Sequence, residues 1–318
     1  MSATPWFSAV VRRRVPLCPI PSGVRPRLSP IAGIRAVIFD IYGTLIISGS
    51  GDVGGSGDVG GDSLIGGDSL VGDGSLIGDG SFIGDGDERE AGVEGHRRSD
   101  LAVTVAEAEA EAFRTQVGEL HAAASVPAGE RAEVDALEVW RRLLESGGRA
   151  DLAADPWSVA EVAAEFESRT NPTWPMPGAA MLLEALRRRP LSLGIVSNAQ
   201  AFTLPLIEDL VGSPLAGSGF DLDLCLFSYR YRRAKPSPSL FQTLRAALRR
   251  RGISASEAVY VGNDMLNDVW AAGRAGLRTV WFAGDRRSCR PREDDPRCRS
   301  VRPDAVITEW GQFLQIID

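Results

Sequence analysis

The chain has 318 residues, a hydrophobic fraction of 44%, seven tryptophans and a formal net charge of −7. That length accommodates two domains, or one core with a large insert. The acidic balance speaks against a nucleic-acid partner, because duplex binding rests on neutralising phosphates with Lys and Arg. No apolar run nears the roughly 18 residues needed to span a bilayer. The expectation is a cytoplasmic protein with no membrane partner.

Residues 1–35 contain Arg12, Arg13, Arg14, Arg25, Arg27 and Arg35 and no acid. An organelle transit peptide has that composition. Pro16, Pro19, Pro21, Pro26 and Pro30 nevertheless forbid a continuous amphipathic helix. Residues 1–33 are therefore read as a disordered, basic, Pro-rich extension.

Ala36-Val37-Ile38-Phe39 is an apolar run that ends in Asp40 and breaks into Gly43-Thr44. A continuous apolar run fits a parallel strand buried on both faces. A carboxylate at its C-terminal end lies where open α/β sheets bind ligands. Gly43 lets the chain turn away, and Thr44 can hold the turn or a bound anion.

Residues 48–87 repeat with a period of six: Leu64, Leu70, Leu76 and Phe82 recur, each followed by Ile or Val. Gly49-Ser50-Gly51-Asp52-Val53-Gly54 fits a dinucleotide fingerprint, yet more Gly/Asp repeat follows it instead of a helix. Calcium-binding β-rolls use nine-residue units, not six. A flexible surface loop, a short solenoid and a calcium site stay open, with the loop favoured by composition. The segment 48–99 is treated as this Gly/Asp-rich loop.

From Asp100 the composition shifts to Ala, Glu, Leu and Arg, which favour helices. Three helices are expected, at 101–124, 130–146 and 157–169, the last after a Pro156 start signal. Beyond Met176-Pro177-Gly178 the chain alternates. Helix 178–189 leads to strand 191–197, helix 202–211 to strand 223–228, and helix 237–251 to strand 258–262. Helix 267–275 and strand 278–282 follow, then a short strand at 305–307. Such alternation means a doubly wound parallel α/β sheet with right-handed crossovers.

Three later segments carry chemistry-bearing residues. Strand 191–197 ends in Ser197-Asn198, Lys235 sits in Arg233-Ala234-Lys235-Pro236, and strand 258–262 runs into Asn263-Asp264-Met265-Leu266-Asn267-Asp268. With Asp40-Ile41-Tyr42-Gly43-Thr44-Leu45 they resemble, in order, the four motifs of the haloacid dehalogenase-like (HAD) hydrolases. The resemblance covers about 34–47 and 176–318. It implies a Rossmann-like core over those ranges and a helical cap at 100–175. It also implies Asp40 as nucleophile, Ser197 bonding the transferred group and Lys235 offsetting negative charge. Tyr42, Thr44 and Asn198 complete the catalytic candidates.

A carboxylate nucleophile and an anionic substrate repel, so positive charge is needed at the site. Mg2+ prefers oxygen ligands and keeps several waters. Asp40, the backbone carbonyl of Tyr42, and Asn263, Asp264 or Asp268 are the candidate metal ligands by resemblance. Asn263 or Asp264 also suits a helix cap.

Tyr42 departs from the family's phosphatases, which carry a second Asp there as proton donor and base. Tyrosine, with a reference pKa of about 10, is a poor base near neutrality. A tyrosine at this position resembles the 2-haloacid dehalogenases, which need neither that acid nor a metal. The acidic fourth segment instead resembles Mg-dependent phosphatases. Three readings follow: a phosphohydrolase using an aspartyl-phosphate on a small phosphorylated substrate, a haloacid dehalogenase using an aspartyl ester, and a non-catalytic binding protein. The last would use the repeat or the Arg-rich 286–302 loop. Cys289 and Cys298 share that loop, where they could pair or bind metal, but no His or further Cys completes a zinc set.

Overall fold

The structure is a computed structural model that describes residues 11, 14–50, 104–105 and 108–317. The hexad repeat beyond Ser50 and the start of the first expected helix lie outside the described residues.

Strand β1 (Ala36–Phe39) is buried throughout. The chain then turns into β2 (Ile46–Ser48), which pairs antiparallel with β3 (Thr173–Pro175). Everything between those two short strands is an insert. Its described helices are α1 (Ala110–Ala123), α2 (Ala136–Ser146), α3 (Ala150–Ala154) and α4 (Pro156–Thr170).

The expected helix at 130–146 starts late for a local reason. Residues 130–134 are extended against the core, and Asp135 caps α2 by accepting from Leu137 N at 3.0 Å. Asp155 caps α4 in the same way, just before Pro156. The three longer helices close around aromatic rings. Phe113 stacks on Trp140 at 4.7 Å, and Phe166 meets both, at 4.9 and 5.2 Å. Truncating a buried ring of this kind costs about 3–5 kcal/mol.

The core continues through α5 (Ala179–Arg187), β4 (Ser192–Ser197), α6 (Thr203–Val211), β5 (Phe220–Phe227) and the short α7 (Ser228–Tyr231). Then come α8 (Pro238–Arg250), β6 (Ala258–Gly262), a wide helical turn at Met265–Trp270, and α9 (Ala271–Arg274). Strands β7 (Arg278–Phe282) and β8 (Ala305–Ile307) and helix α10 (Trp310–Ile316) complete it. Helix α10 and the β2–β3 pair were not expected from the sequence. The expected helix 267–275 forms as the wide turn followed by α9.

Six strands form one parallel sheet in the order β5-β4-β1-β6-β7-β8. This is a doubly wound α/β fold of the Rossmann-like type. Side chains alternate across it. Phe39 packs toward α10 and the insert, while Ile38 packs with Leu240 and Leu244 of α8. Phe39 pairs with Ile195 on one side and Val261 on the other. The C-terminal ends of β1, β4 and β6 are therefore flush, and β1 lies at the switch point where such sheets bind ligands.

The N-terminal expectation needs correction over residues 14–33. They are not disordered but run extended along the core. Arg27 exchanges backbone bonds with Val306 at 2.8 and 3.0 Å, Ile31 N donates to Ile316 O at 2.6 Å, and Ile20 N donates to Asp285 at 3.2 Å. Prolines suit such a strap, because an extended segment needs no continuous N–H ladder. All four cysteines are free thiols, so Cys289 and Cys298 do not pair. Among the described residues no helix is long and apolar enough to cross a membrane.

Candidate active site

The flush strand ends deliver three loops to one cleft. The first is the turn after β1. Gly43 has φ +75°, and a Cβ there would lie 2.3 Å from the Ser288 Cβ. Glycine is thus required both by the turn and by the close approach. Asp40 leads into this turn, with its backbone N–H on Val261 O at 2.9 Å. Thr44 Oγ1 lies 3.5 Å from Asp40 Oδ2 and 3.2 Å from Asn263 Oδ1, tying the first turn to the fourth motif.

Lys235 is the electrostatic centre. Its Nζ donates to Asp40 Oδ1 at 2.7 Å, Asp268 Oδ1 at 2.5 Å and Tyr260 Oη at 3.0 Å, and it is 2% exposed. Burial pulls the ammonium pKa down, but Asp268 and Asp40 overcome this and hold it above the usual lysine value. Lys235 is therefore charged. Asp268 is pushed upward by burial, with Lys235 pulling the other way. Its second oxygen accepts from Asp264 N at 2.9 Å. Gly262 makes room for it, since a Cβ there would lie 2.4 Å from the Asp268 carboxyl.

The second motif divides its labour. Asn198 lines the cleft and accepts from Lys235 N at 2.7 Å, which sets the height of the lysine loop. Ser197 Oγ donates to the Asn198 carbonyl at 3.2 Å and is not among the lining residues.

The fourth motif is divided as well. Asn263 Nδ2 donates to Ser288 O at 2.6 Å, which leaves Oδ1 to accept from Thr44 Oγ1. Asp264 caps the following turn, accepting from Leu266 N at 2.8 Å and Asn267 N at 3.1 Å. It also pairs with Arg292 at 2.7 Å. The helix-cap role weighed from sequence is thus filled by Asp264.

Tyr42 lines the cleft, but its hydroxyl meets Thr203 Oγ1 at 2.8 Å. Burial and the nearby Glu167 charge raise its pKa well above 10. The phenol stays protonated and cannot act as a base.

The donor set beside Asp40 suits a hard cation. Among the described residues no N–H donates to the Tyr42 carbonyl, and Asn267 Oδ1 is buried without a partner while lining the same cleft. No group of three or more His, Cys, Asp or Glu that could hold a metal converges among them; Lys235 pairs with Asp40 and Asp268, and Arg292 with Asp264. What is offered is one carboxylate with amide and carbonyl oxygens, which Mg2+ accepts along with retained waters. Asn267, Tyr260, Ser288 and Arg290 escaped the sequence reading. Only Asn267, inside the fourth segment, carried a local signal there.

Residues 34–276 match the family model for haloacid dehalogenase-like hydrolases. The chain belongs to this family. It is 36% identical over 147 residues to a phosphoserine phosphatase of Thermus thermophilus, covering 45% of this chain and 52% of that one. With a glyceraldehyde 3-phosphate phosphatase of Pyrococcus furiosus it shares 26% identity over 171 residues, 54% of this chain and 66% of the relative. The chain thus spans between about half and two thirds of the length of these curated relatives. Among solved structures, the L-2-haloacid dehalogenase of Xanthobacter autotrophicus aligns over 89% of this chain and 97% of its own, at 18% identity and a TM-score of 0.44.

Proposed function

We propose that the protein is a Mg-dependent phosphohydrolase acting on a small phosphorylated molecule through an aspartyl-phosphate at Asp40. The observation that carries this reading is the pairing of Asp40 Oδ1 with the buried Lys235, beside oxygen donors that suit a hard cation. Similarity to two phosphatases supports it.

Lys235 holds one carboxylate oxygen of Asp40, so Oδ2 is left to attack phosphorus. The P–O bond to the leaving group breaks as the Asp40–phosphorus bond forms, and water later cleaves the acyl phosphate to regenerate the carboxylate. Asp40, the Tyr42 carbonyl, Asn263 and Asn267 would hold Mg2+, which would supply charge for the transferring phosphoryl oxygens. Thr44 and Asn198 keep the two loops in register. The helical insert serves as a cap that excludes water.

A specific observation favours the second reading, that of a haloacid dehalogenase. Tyr42 is no base, and Asp264 is engaged by Arg292. The two readings part on one measurement. Phosphate release from aryl, acyl and alkyl phosphates is expected, and EDTA should abolish it. Halide release from 2-haloacids that persists in EDTA, without phosphate release, would overturn the phosphohydrolase in favour of the dehalogenase.

A further inference from the structure

A lysine ammonium has three N–H donors, and in Lys235 each of them has an acceptor. Two acceptors are the carboxylates of Asp40 and Asp268, and the third is neutral, the phenol oxygen of Tyr260 at 3.0 Å. Tyr260 lies in the middle of β6, paired in register with Ile38 of β1. It is wholly buried, with its ring 5.7 Å from that of Phe241 on α8 and 5.6 Å from the Lys235 Nζ. Phenylalanine would fill the same apolar space, so the hydroxyl calls for a separate reason.

The direction of its hydrogen supplies one. A phenol hydroxyl has a single hydrogen to give. Val196 O accepts it at 2.6 Å, while Asp268 Oδ1 is farther off at 3.1 Å. With the hydrogen on Val196, a lone pair of the phenol oxygen is left for Lys235. Val196 immediately precedes Ser197, the last residue of β4. One side chain on β6 thus ties the end of β4 to the ammonium that reaches in from the loop ahead of α8.

A neutral acceptor matters here because an ammonium is a rotor on a flexible stem. If that acceptor were missing, one N–H of a buried cation would be left unmade, and the group would turn between its two carboxylates. With three acceptors in place the rotation stops. One N–H is then fixed on Asp40 Oδ1, and Oδ2 is the oxygen left to attack.

We propose that Tyr260 is a positioning residue for the nucleophile, acting through Lys235. Its hydroxyl holds the third N–H of the ammonium and so fixes which oxygen of Asp40 is engaged. The proposal rests on Asp40 as nucleophile, which the phosphohydrolase and dehalogenase readings share.

Tyr260→Phe and Tyr260→Leu variants of the full chain separate the hydroxyl from the ring. Rates are measured well below each variant's melting temperature, on the phosphate esters or haloacids that the wild-type chain turns over. Tyr260→Phe should lower kcat by about ten- to a hundredfold, with KM little changed. Wild-type kcat in Tyr260→Phe overturns the proposal, whatever Tyr260→Leu does. A second measurement needs no turnover. The shift in denaturant midpoint caused by Tyr260→Phe is compared in the wild-type and Lys235→Met backgrounds. Should Lys235→Met not fold, Lys235→Met with Asp268→Asn takes its place. A hydroxyl that serves Lys235 gives a clear shift in the first background and a much smaller one in the second. Equal shifts mean that it serves Val196 alone, and they overturn the proposal. A wild-type chain that releases neither phosphate nor halide sinks both hydrolase readings, and the midpoint comparison still decides whether Tyr260 holds Lys235.

Discussion

The hydroxyl of Tyr42 lies 2.8 Å from Thr203 Oγ1 at the start of α6. The residue that replaces the second aspartate of the family's phosphatases is therefore tied to a neighbouring helix, and its pKa is raised. A protonated, tethered phenol offers little to a departing alkoxide. Acidic leaving groups should accordingly be cleaved best. Tyr42→Asp should raise the alkyl-to-aryl ratio of kcat values toward the roughly 10²–10⁴-fold that general acid help supplies. Steady-state rates on paired alkyl and aryl phosphates check this, and a ratio unchanged from wild type counts against any role in proton transfer. Tyr42→Phe removes one buried hydrogen bond and should cost about 1 kcal/mol in denaturant unfolding.

Asp40→Asn should lower turnover on the order of 10³-fold or more while preserving the fold. The amide oxygen can still accept from Lys235, which donates to Oδ1 at 2.7 Å in the wild-type chain. Rate measurements beside a melting curve test this. More than a few per cent residual activity, with deamidation excluded by mass, removes Asp40 from the nucleophile's role.

Lys235→Met should be the more damaging change to stability. It leaves the carboxyl groups of Asp40 and Asp268 facing each other without their shared ammonium. Breaking one side of a buried ion pair typically costs about 3–5 kcal/mol. Denaturant unfolding of Lys235→Met against wild type gives the number directly. A variant that also carries Asp268→Asn should recover part of the loss, since one of the stranded charges is gone.

Glu133 offers a pH test away from the chemistry. It sits in the extended segment 130–134, where burial pushes its pKa from 4.5 up to about 7. The folded state thus binds this proton more tightly than the unfolded state does. The contribution to stability is fully present below pH 4.5 and is lost as pH rises through about 7. Ser228 opposes the shift, since its Oγ donates to Glu133 Oε2 at 2.6 Å and so favours the ionised form, but burial outweighs it. Glu133→Gln should flatten the fall in melting temperature between these pH values. An identical pH profile in variant and wild type would show that Glu133 is ionised in the fold.

Much of this arrangement was legible in the sequence because strand ends are marked twice, by an apolar run and by the polar residue that stops it. Phe39-Asp40, Ser197-Asn198 and Gly262-Asn263 each carry that signature, and the parallel register then brings them flush. The division of labour was not legible. Asp268 faces Lys235, whereas Asp264 caps its own turn and meets Arg292, 28 positions away in the chain. Arg290 likewise enters the cleft through backbone pairing with the fourth motif, and nothing in its local spacing announces that. Helix α10 went unread because its short stretch, with Trp310, Phe313 and Ile316 buried, is held by packing on Phe39 and Phe282.

The short β2–β3 pair has a consequence for how this gene can change. Ser48 pairs with Thr173, and the hydroxyls of Ser48 and Ser50 both bond Asn171 Oδ1, at 2.7 and 2.8 Å. The two ends of the insert are clasped there, independently of the number of residues between them. A tandem repeat of six gains or loses whole units when copied, and each event alters chain length without shifting the register of the clasp or the position of Asp40. A change in the number of hexads is therefore expected to leave the residues on either side in place, as a buckle holds at any length of strap.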